Sequence, residues 1–307
     1  MVDIKTVLCP VDFSDATERQ VHFAVDLCRL FGARLVVHHN LAGVGTGAAV
    51  GWMWAATHPG VPSKTTATEK LGRLLAGIPS DVASQARLTQ GLPTDSVLAA
   101  AQHARADLVV LTAHGGSHDE HMSLSEQVLE RCDCAVLALH DASVDHAAPR
   151  FTSPGQEPQR VLVADSFSES SAAAVECAFD LARRFPVEVH LLHIEPARGS
   201  RDEPVSELAD DDRRRLRALL PSDLAHHAQI HVAAGDPTRE IAAAAERIGA
   251  ALIMMGEHSR TGLWRWLSRD TGRFMLHHSH CPVWYVPAGA VTRRVETEAR
   301  SEAASPA

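Results

Sequence analysis

The chain is 307 residues long, carries a formal net charge of −9 at pH 7 and has a pI near 6.1. This acidic balance argues against nucleic acid and against an anionic membrane surface as partners, since both attract basic stripes. The 45% of hydrophobic and 22% of charged residues are typical of a globular protein, and no apolar run is long enough to predict a membrane span. The length favours two domains of about 150 residues each.

The cysteines and the start of the chain predict a cytoplasmic protein. Met1–Thr6 does not have the layout of a signal peptide, because an acid stands at position 3 and an apolar strand follows at once. The six cysteines lie mostly in apolar runs, as buried thiols do, and we expect them to be reduced. Cys132 and Cys134 have no second pair with zinc-ligand spacing, so we predict no metal site there.

The two halves of the chain repeat one another, which indicates a duplicated domain rather than a short solenoid unit. Matching blocks occur near the start, in the middle and near the end of each half, at offsets between 144 and 154 residues. The paired blocks are Val7–Ser14 with Val161–Ser168, Gly91–Thr94 with Gly235–Thr238, and Cys134–Val136 with Cys281–Val283.

Each half alternates short apolar runs with amphipathic stretches of helical length, a pattern typical of a doubly wound α/β sheet with parallel strands. We predict a first domain over residues 1–140, a linker over 141–158, a second domain over 159–289 and a disordered tail over 290–307. Each domain has five predicted strands. In chain order they are Thr6–Val11, Arg34–His39, Gln85–Thr89, Asp107–Thr112, Ala135–Leu139, Arg160–Ala164, Val187–Ile194, Ala228–Ala233, Ala251–Met255 and Val283–Val286.

Capping residues and prolines predict where several helices begin and end. Ser14 or Asp15 is the predicted N-cap of the first helix, which Gly32 ends. The prolines in Gly-Leu-Pro-Thr and Gly-Asp-Pro-Thr, residues 91–94 and 235–238, occupy a first helical turn. Pro221 ends the helix that carries Asp210–Leu220.

In a doubly wound sheet, ligands bind beyond the carboxyl ends of the strands. Polar residues and glycines follow the first and fourth strands of each half, within residues 12–14, 112–116, 165–168 and 255–263. Together with the Gly-Asp-Pro turn and the closing Cys-Pro-Val strand, these segments resemble a tandem universal stress protein. The resemblance implies two five-stranded Rossmann-like domains of the adenine nucleotide alpha hydrolase type. It also implies ATP binding, which is common in that family.

Family members bind ATP through an Asp after the first strand, a main-chain group near the end of the second, and a glycine loop after the fourth. Glycines in such a loop let backbone N–H groups approach the phosphates. The residues that the resemblance assigns to cofactor binding are Asp12, Ser14, His39, His114, Gly115, Gly116, Asp165, Ser168, His193, Gly256, His258, Ser259, Arg260 and Gly262.

Both halves depart from this pattern. In the second half the first loop glycine is Ser259, and the late Gly-Ser pair falls on Arg269–Asp270. Without a gap, the Asp of the first strand falls on Ser166, and Asp165 takes a position that is usually apolar. In the first half the loop is shorter and His118 replaces a glycine. ATP is therefore a possible but weak ligand, no cofactor is required, and we expect a dissociation constant above roughly 100 µM.

Several residues have two interpretations. Asp12 either contacts a ligand or caps the first helix, and Arg260 either contacts phosphate or pairs with a carboxylate. The histidines of 277–281 either bind a metal or stabilise a helix end, and we predict the latter. Asp210–Arg215 is interpreted as a solvated helix face. Four tryptophans either pack against protein or bind an apolar molecule; they are Trp52, Trp54, Trp264 and Trp266.

We predict a cytoplasmic, non-enzymatic stress-response or signalling module with degenerate nucleotide pockets, because no nucleophile–base set stands out. The alternatives are an ATP-binding switch that hydrolyses slowly and a carrier of an apolar small molecule. The resemblance implies that domains pair through their final strands. Here the two halves could form a pseudo-dimer with Leu137 and Trp284 near its axis, and a homodimer is also possible. Protein partners are left open.

Overall fold

The computed structural model describes residues 3–42, 63–113, 122–140, 157–196, 205–257 and 265–288. The chain forms two compact units that divide between residues 148 and 149, with the first two residues assigned to the second unit. Most of the predicted linker and all of the predicted tail lie outside the described residues.

The first unit is a parallel sheet with strand order β3-β2-β1-β4-β5. A right-handed crossover places α1 and α2 on one face of this sheet and α3 and α4 on the other. The elements are β1 (Thr6–Pro10), α1 (Thr17–Phe31), β2 (Arg34–Ala42), α2 (Lys64–Ala76), β3 (Ser84–Gly91), α3 (Pro93–Ala104), β4 (Leu108–Ala113), α4 (Leu124–Arg131) and β5 (Ala135–His140).

The second unit repeats this topology, with strand order β8-β7-β6-β9-β10 and parallel pairing throughout. All ten predicted strands are present with small shifts at their ends, so the predicted fold class is confirmed. The elements are β6 (Gln159–Asp165), α5 (Glu169–Arg184), β7 (Val187–Pro196), α6 (Val205–Ala218), a 3-10 turn (Ala225–His227), β8 (Ala228–Gly235), α7 (Pro237–Ile248), β9 (Leu252–Glu257), α8 (Arg265–His278) and β10 (Val283–Pro287).

The central strands are buried on both faces, which explains their continuous apolar runs. Val7, Leu8 and Cys9 of β1 are fully buried, as are Val161 and Leu162 of β6. Removing these side chains from water is the main contribution to the stability of each unit, at roughly 25 cal/mol per Å² of apolar surface.

The predicted end of the first helix is confirmed, whereas its predicted start is wrong. Gly32 ends α1 in the left-handed region, with φ 69°. Neither Ser14 nor Asp15 is the N-cap, because α1 starts at Thr17 and Ala16 precedes it without a side-chain cap. Instead, the carboxylate of Asp12 accepts a hydrogen bond within the turn that precedes α1.

The predictions from proline are confirmed. Pro93 and Pro237 stand in the first turn of α3 and of α7, where their missing N–H costs no helical hydrogen bond. Helix α6 ends at Ala218, shortly before Pro221.

Helix α5 begins directly against the end of β9, at Gly256. A Cβ atom built on Gly256 would lie 2.2 Å from the carbonyl carbon and oxygen of Ser170 and 2.4 Å from the amide nitrogen of Ser171. Because these neighbours are backbone atoms at the start of a helix, they cannot swing aside. Only glycine permits this approach of helix to strand.

We expect Gly256→Ala to destabilise the second unit by at least about 2 kcal/mol, since the added methyl overlaps backbone. Hydrogen exchange of β6 and β9 peptides in the full chain should accelerate, while peptides of the first unit stay unchanged. Gly272→Ala is the matched control, because its Cβ would meet nothing closer than 3.7 Å. Equal protection in the two variants would contradict the close packing at Gly256.

Candidate functional site

The reversal of strand order places one candidate crevice in each unit, beyond the carboxyl ends of its two central strands. In the first unit the chain reverses between β1 and β4, and in the second between β6 and β9. The polar residues predicted to follow the first strand of each half, within residues 12–14 and 165–168, therefore lie at this edge of each sheet.

In the first unit the two central strands pair over a short length. The register pairs Val7 with Leu108 and Leu8 with Val109, and it stops there. Pro10, which follows in β1, has no N–H with which to continue a ladder.

The side chain of Gln20 fills the place where the ladder stops. Gln20 is 4% exposed, and its Nε2 donates to the carbonyl oxygens of Pro10 and Val110, each at 2.9 Å. An amide from α1 thus links β1 to β4 beside the crevice. Because buried carbonyls are costly to leave unbonded, Gln20 is fixed in this position.

In the second unit the corresponding strands stay paired further. The register between β6 and β9 runs from Val161–Leu252 to Ala164–Met255. Ala164 stands 154 residues after Pro10 and has an N–H, and Ala174 stands 154 residues after Gln20. Since α5 also begins against Gly256, strand pairing and helix packing close the second crevice with protein backbone.

Asp12 lies two residues after the end of β1 and forms hydrogen bonds with the turn that follows. Its Oδ1 accepts from the backbone N–H of Ser14 at 2.9 Å and from the Thr17 hydroxyl at 3.3 Å. The residue is exposed. The interpretation of Asp12 as the helix cap is wrong, because its carboxylate bonds Thr17, the first residue of α1, while Ala16 is the N-cap. Ligand contact by Asp12 stays a prediction.

Asp165 takes the equivalent role in the second unit from a buried position. It is 5% exposed, and its Oδ1 accepts from the Phe167 backbone N–H at 3.1 Å and from the Ser171 hydroxyl. Its Oδ2 is buried without a hydrogen-bond partner. A carboxylate thus lies where the family pattern has an apolar residue.

A phenylalanine and a histidine pair in the same way in both units, which confirms the ungapped alignment of the two halves. Phe13 and Phe167 have φ 63° and 54°, values uncommon for bulky residues. Their rings lie 4.2 Å, centroid to centroid, from those of His39 and His193. The strained turn therefore brings an aromatic ring onto the histidine at the end of the neighbouring strand.

Hydrogen bonds fix the orientation of both histidines. Nδ1 of His39 lies 2.7 Å from the Val11 carbonyl oxygen, and Nδ1 of His193 lies 2.8 Å from that of Asp165. A carbonyl only accepts, so the proton must be on Nδ1 in each case. Burial lowers the pKa of His39, against the opposing effects of the Val11 carbonyl and Asp12.

A cation from the second helix of each unit, α2 or α6, lies over the phenylalanine ring. Nζ of Lys70 lies 5.1 Å from the centroid of Phe13, and the guanidinium of Arg215 lies 3.7 Å from that of Phe167. Arg215 also bonds Asp212 at 3.3 Å, and Oδ2 of Asp212 lies 3.6 Å from Nε2 of His193.

The prediction that Asp210–Arg215 forms a solvated face is therefore wrong for Asp212, although the other five residues are exposed. Asp212 is 8% exposed and faces His193, because α6 packs against β7 and β8 there. The earlier pairs are exposed ion pairs, with Arg213 bonding Asp210 and Arg214 bonding Asp211, each at 3.2 Å.

The two predicted serines have local roles in the turns. Ser14 donates its backbone N–H to Asp12. Ser168 is the N-cap of α5 and forms a reciprocal capping box with Ser171. Neither has a hydrogen bond to a histidine among the described residues.

Several predicted site residues cannot be placed. Gly256 is described, and Arg269, Asp270 and Trp266 fall within the span of α8. The remaining residues lie outside the described ranges; they are His114, Gly115, Gly116, His118, His258, Ser259, Arg260, Gly262, Trp52, Trp54 and Trp264.

The described residues offer no metal centre and no membrane span. Within the described ranges, no three side chains of His, Cys, Asp or Glu converge on a possible metal position. His277 and His278 end α8, where the ring of His278 packs 4.5 Å from that of Phe274, centroid to centroid. In the same part of the chain, no helix combines the length and hydrophobicity that crossing a bilayer requires.

Sequence reasoning missed the residues that complete the two crevices: Gln20, Lys70, Asp212 and Arg215. No local motif marks Gln20, since its role depends on the missing N–H of Pro10 on another element. The recurring Phe-Ser dipeptide, at 13–14 and 167–168, was the available signal for the aromatic pairs.

The comparisons with known proteins agree with this architecture. The model of the universal stress protein family matches residues 3–140 and again residues 157–287. A universal stress protein of Methanocaldococcus jannaschii is 27% identical over 138 residues, which cover 42% of this chain and 81% of that protein.

Two solved structures share the fold over most of both chains. A universal stress protein from Archaeoglobus fulgidus has a TM-score of 0.63 at 19% identity and covers 92% of this chain and 96% of its own. A putative universal stress protein from Pseudomonas aeruginosa has a TM-score of 0.58 at 15% identity, covering 96% and 97%. With two matched segments that span most of its length, the chain belongs to the universal stress protein family.

Proposed function

We propose that the chain is a cytoplasmic, non-enzymatic stress-response or signalling module whose two nucleotide pockets are degenerate. The observation that supports it is that protein atoms fill both crevices: the Gln20 amide in the first unit and the start of α5 in the second. The six cysteines, all held as thiols, support a reducing compartment.

The second crevice is unsuited to a polyphosphate. Its strands stay paired as far as Ala164 and Met255, and backbone atoms of Ser170 and Ser171 occupy the space above Gly256. The buried carboxylate of Asp165 adds a negative charge, while the charge of Asp212 is balanced by Arg215. A bound ATP would have to displace backbone and approach Asp165.

The first crevice retains more of the family's features and supports the second candidate, an ATP-binding switch. Its strands separate beyond Leu8 and Val109, and Asp12 is exposed at their end. A ligand that entered between the strands would displace Gln20, leaving two buried carbonyls unbonded at about 1–3 kcal/mol each. Any nucleotide binding therefore belongs to this unit and is weak.

The geometry of the polar groups supports a non-enzymatic role. Catalysis by a hydroxyl nucleophile needs a base within hydrogen-bond reach. The Nδ1 protons of His39 and His193 are committed to backbone carbonyls, and Nε2 of His193 faces Asp212. Among the described residues, neither histidine is placed to activate Ser14 or Ser168.

Calorimetric titration of the full chain with Mg-ATP should give a dissociation constant above roughly 100 µM, about two decades weaker than a micromolar site. The cost of displacing Gln20 in the first unit, and of opening the second, accounts for this loss. Micromolar, stoichiometric binding would overturn the degenerate-pocket proposal and favour the nucleotide switch.

Two single variants, one in each unit, should show which unit provides the residual affinity for ATP at millimolar concentration. Asp12→Asn should weaken binding about tenfold, because a hydrogen bond to a charged group contributes roughly 1.5–3 kcal/mol. Asp165→Asn, its matched control, should leave binding unchanged, since Asp165 is closed off by protein. Equilibrium dialysis measures both, with circular dichroism as a check on folding. The opposite pattern of loss would place the site in the second unit.

A further inference from the structure

Two buried thiols lie next to each other where α4 leads into β5. The sulfurs of Cys132 and Cys134 are 3.4 Å apart, and the residues are 6% and 9% exposed. Asp133 between them is exposed, so both thiols point to the same side of a bent segment. The N–H of Cys132 donates to Val128 at 2.8 Å, which ties the pair to the end of α4.

The second unit has the same segment with one of the thiols replaced. Ser279 and Cys281 stand 147 residues after Cys132 and Cys134. The hydroxyl of Ser279 donates to the backbone carbonyl of Cys281 at 2.7 Å and lies 3.9 Å from its sulfur. Packing at this place therefore accepts a serine, and the paired sulfurs are a feature of the first unit.

We propose that Cys132 and Cys134 are a two-electron oxidation site that reacts with a hydroperoxide and closes to an intramolecular disulfide. One thiolate attacks the terminal peroxide oxygen, the O–O bond breaks, and a sulfenic acid and water (or an alcohol) form. The second thiol then attacks the sulfenic sulfur, the S–O bond breaks, and water leaves. In total, two thiols lose two protons and two electrons, and the peroxide is reduced.

Closure of the disulfide, the second step, needs only small movements of the two sulfurs. A disulfide needs its sulfurs about 2.05 Å apart, so this pair must approach by about 1.4 Å. Only Asp133 separates the two residues in sequence, so rotation of their side chains supplies most of this movement. Burial limits the access of a peroxide to the thiols and slows the first step relative to an exposed thiolate. The pair is thus a slow peroxide-sensitive site rather than a rapid scavenger.

Peptide mass analysis of the peroxide-treated full chain tests this assignment. Tryptic peptide Cys132–Arg150 contains both thiols of the pair and no other cysteine. After incubation with hydrogen peroxide and alkylation of the remaining thiols, we expect this peptide to escape alkylation and to be lighter by two hydrogens. The thiol count should fall from six to four, and dithiothreitol should restore it.

The chain supplies its own controls. Cys281 is a single buried thiol at the same place of the second unit, and its peptide should stay alkylatable. Cys132→Ser reproduces the Ser-x-Cys pattern of the second unit and should abolish the reversible loss of thiols while the fold is kept. The proposal is wrong if the native pair stays fully alkylatable, or if it passes to sulfinic or sulfonic acid without a disulfide.

Discussion

The structure of each unit depends on how far its two central strands remain hydrogen-bonded as they approach the switch point. A parallel ladder needs an N–H at every second residue, and Pro10 interrupts it in the first unit. Ala164 stands at the repeated position and lets β6 and β9 stay paired as far as Ala164 and Met255. The N–H that Pro10 lacks thus decides whether the two strands that border the crevice are separated or hydrogen-bonded to each other.

The neighbouring elements follow from this difference. Where the strands separate, Gln20 supplies donors for the carbonyls of Pro10 and Val110. Where they stay joined, Ala174 suffices, and α5 begins early enough for Ser170 to pack on Gly256. Each unit satisfies its backbone by its own means, and each does so with groups at the switch point of its sheet.

The sequence predicted the strands and several helix ends, because buried apolar runs, Gly32 and the two helix-starting prolines act locally. It did not predict the contents of the crevices, since those depend on contacts between distant elements. The inward orientation of Asp212 is set by the packing of α6, which a run of three acids followed by three arginines does not reveal. The prediction of the α1 N-cap was wrong for a similar reason: the Asp12 carboxylate accepts the N–H of Ser14 within the turn, and the helix starts only at Thr17.

Protein backbone closes the second crevice, whereas a displaceable side chain fills the first. An NMR titration of the isotope-labelled full chain with millimolar ATP tests this difference most directly, because it reports each crevice separately. Shifts should be confined to amides near Val11–Phe13 and Gln20 and to the end of β4. Saturable shifts centred on Asp165–Ser168 and Gly256 would contradict the account.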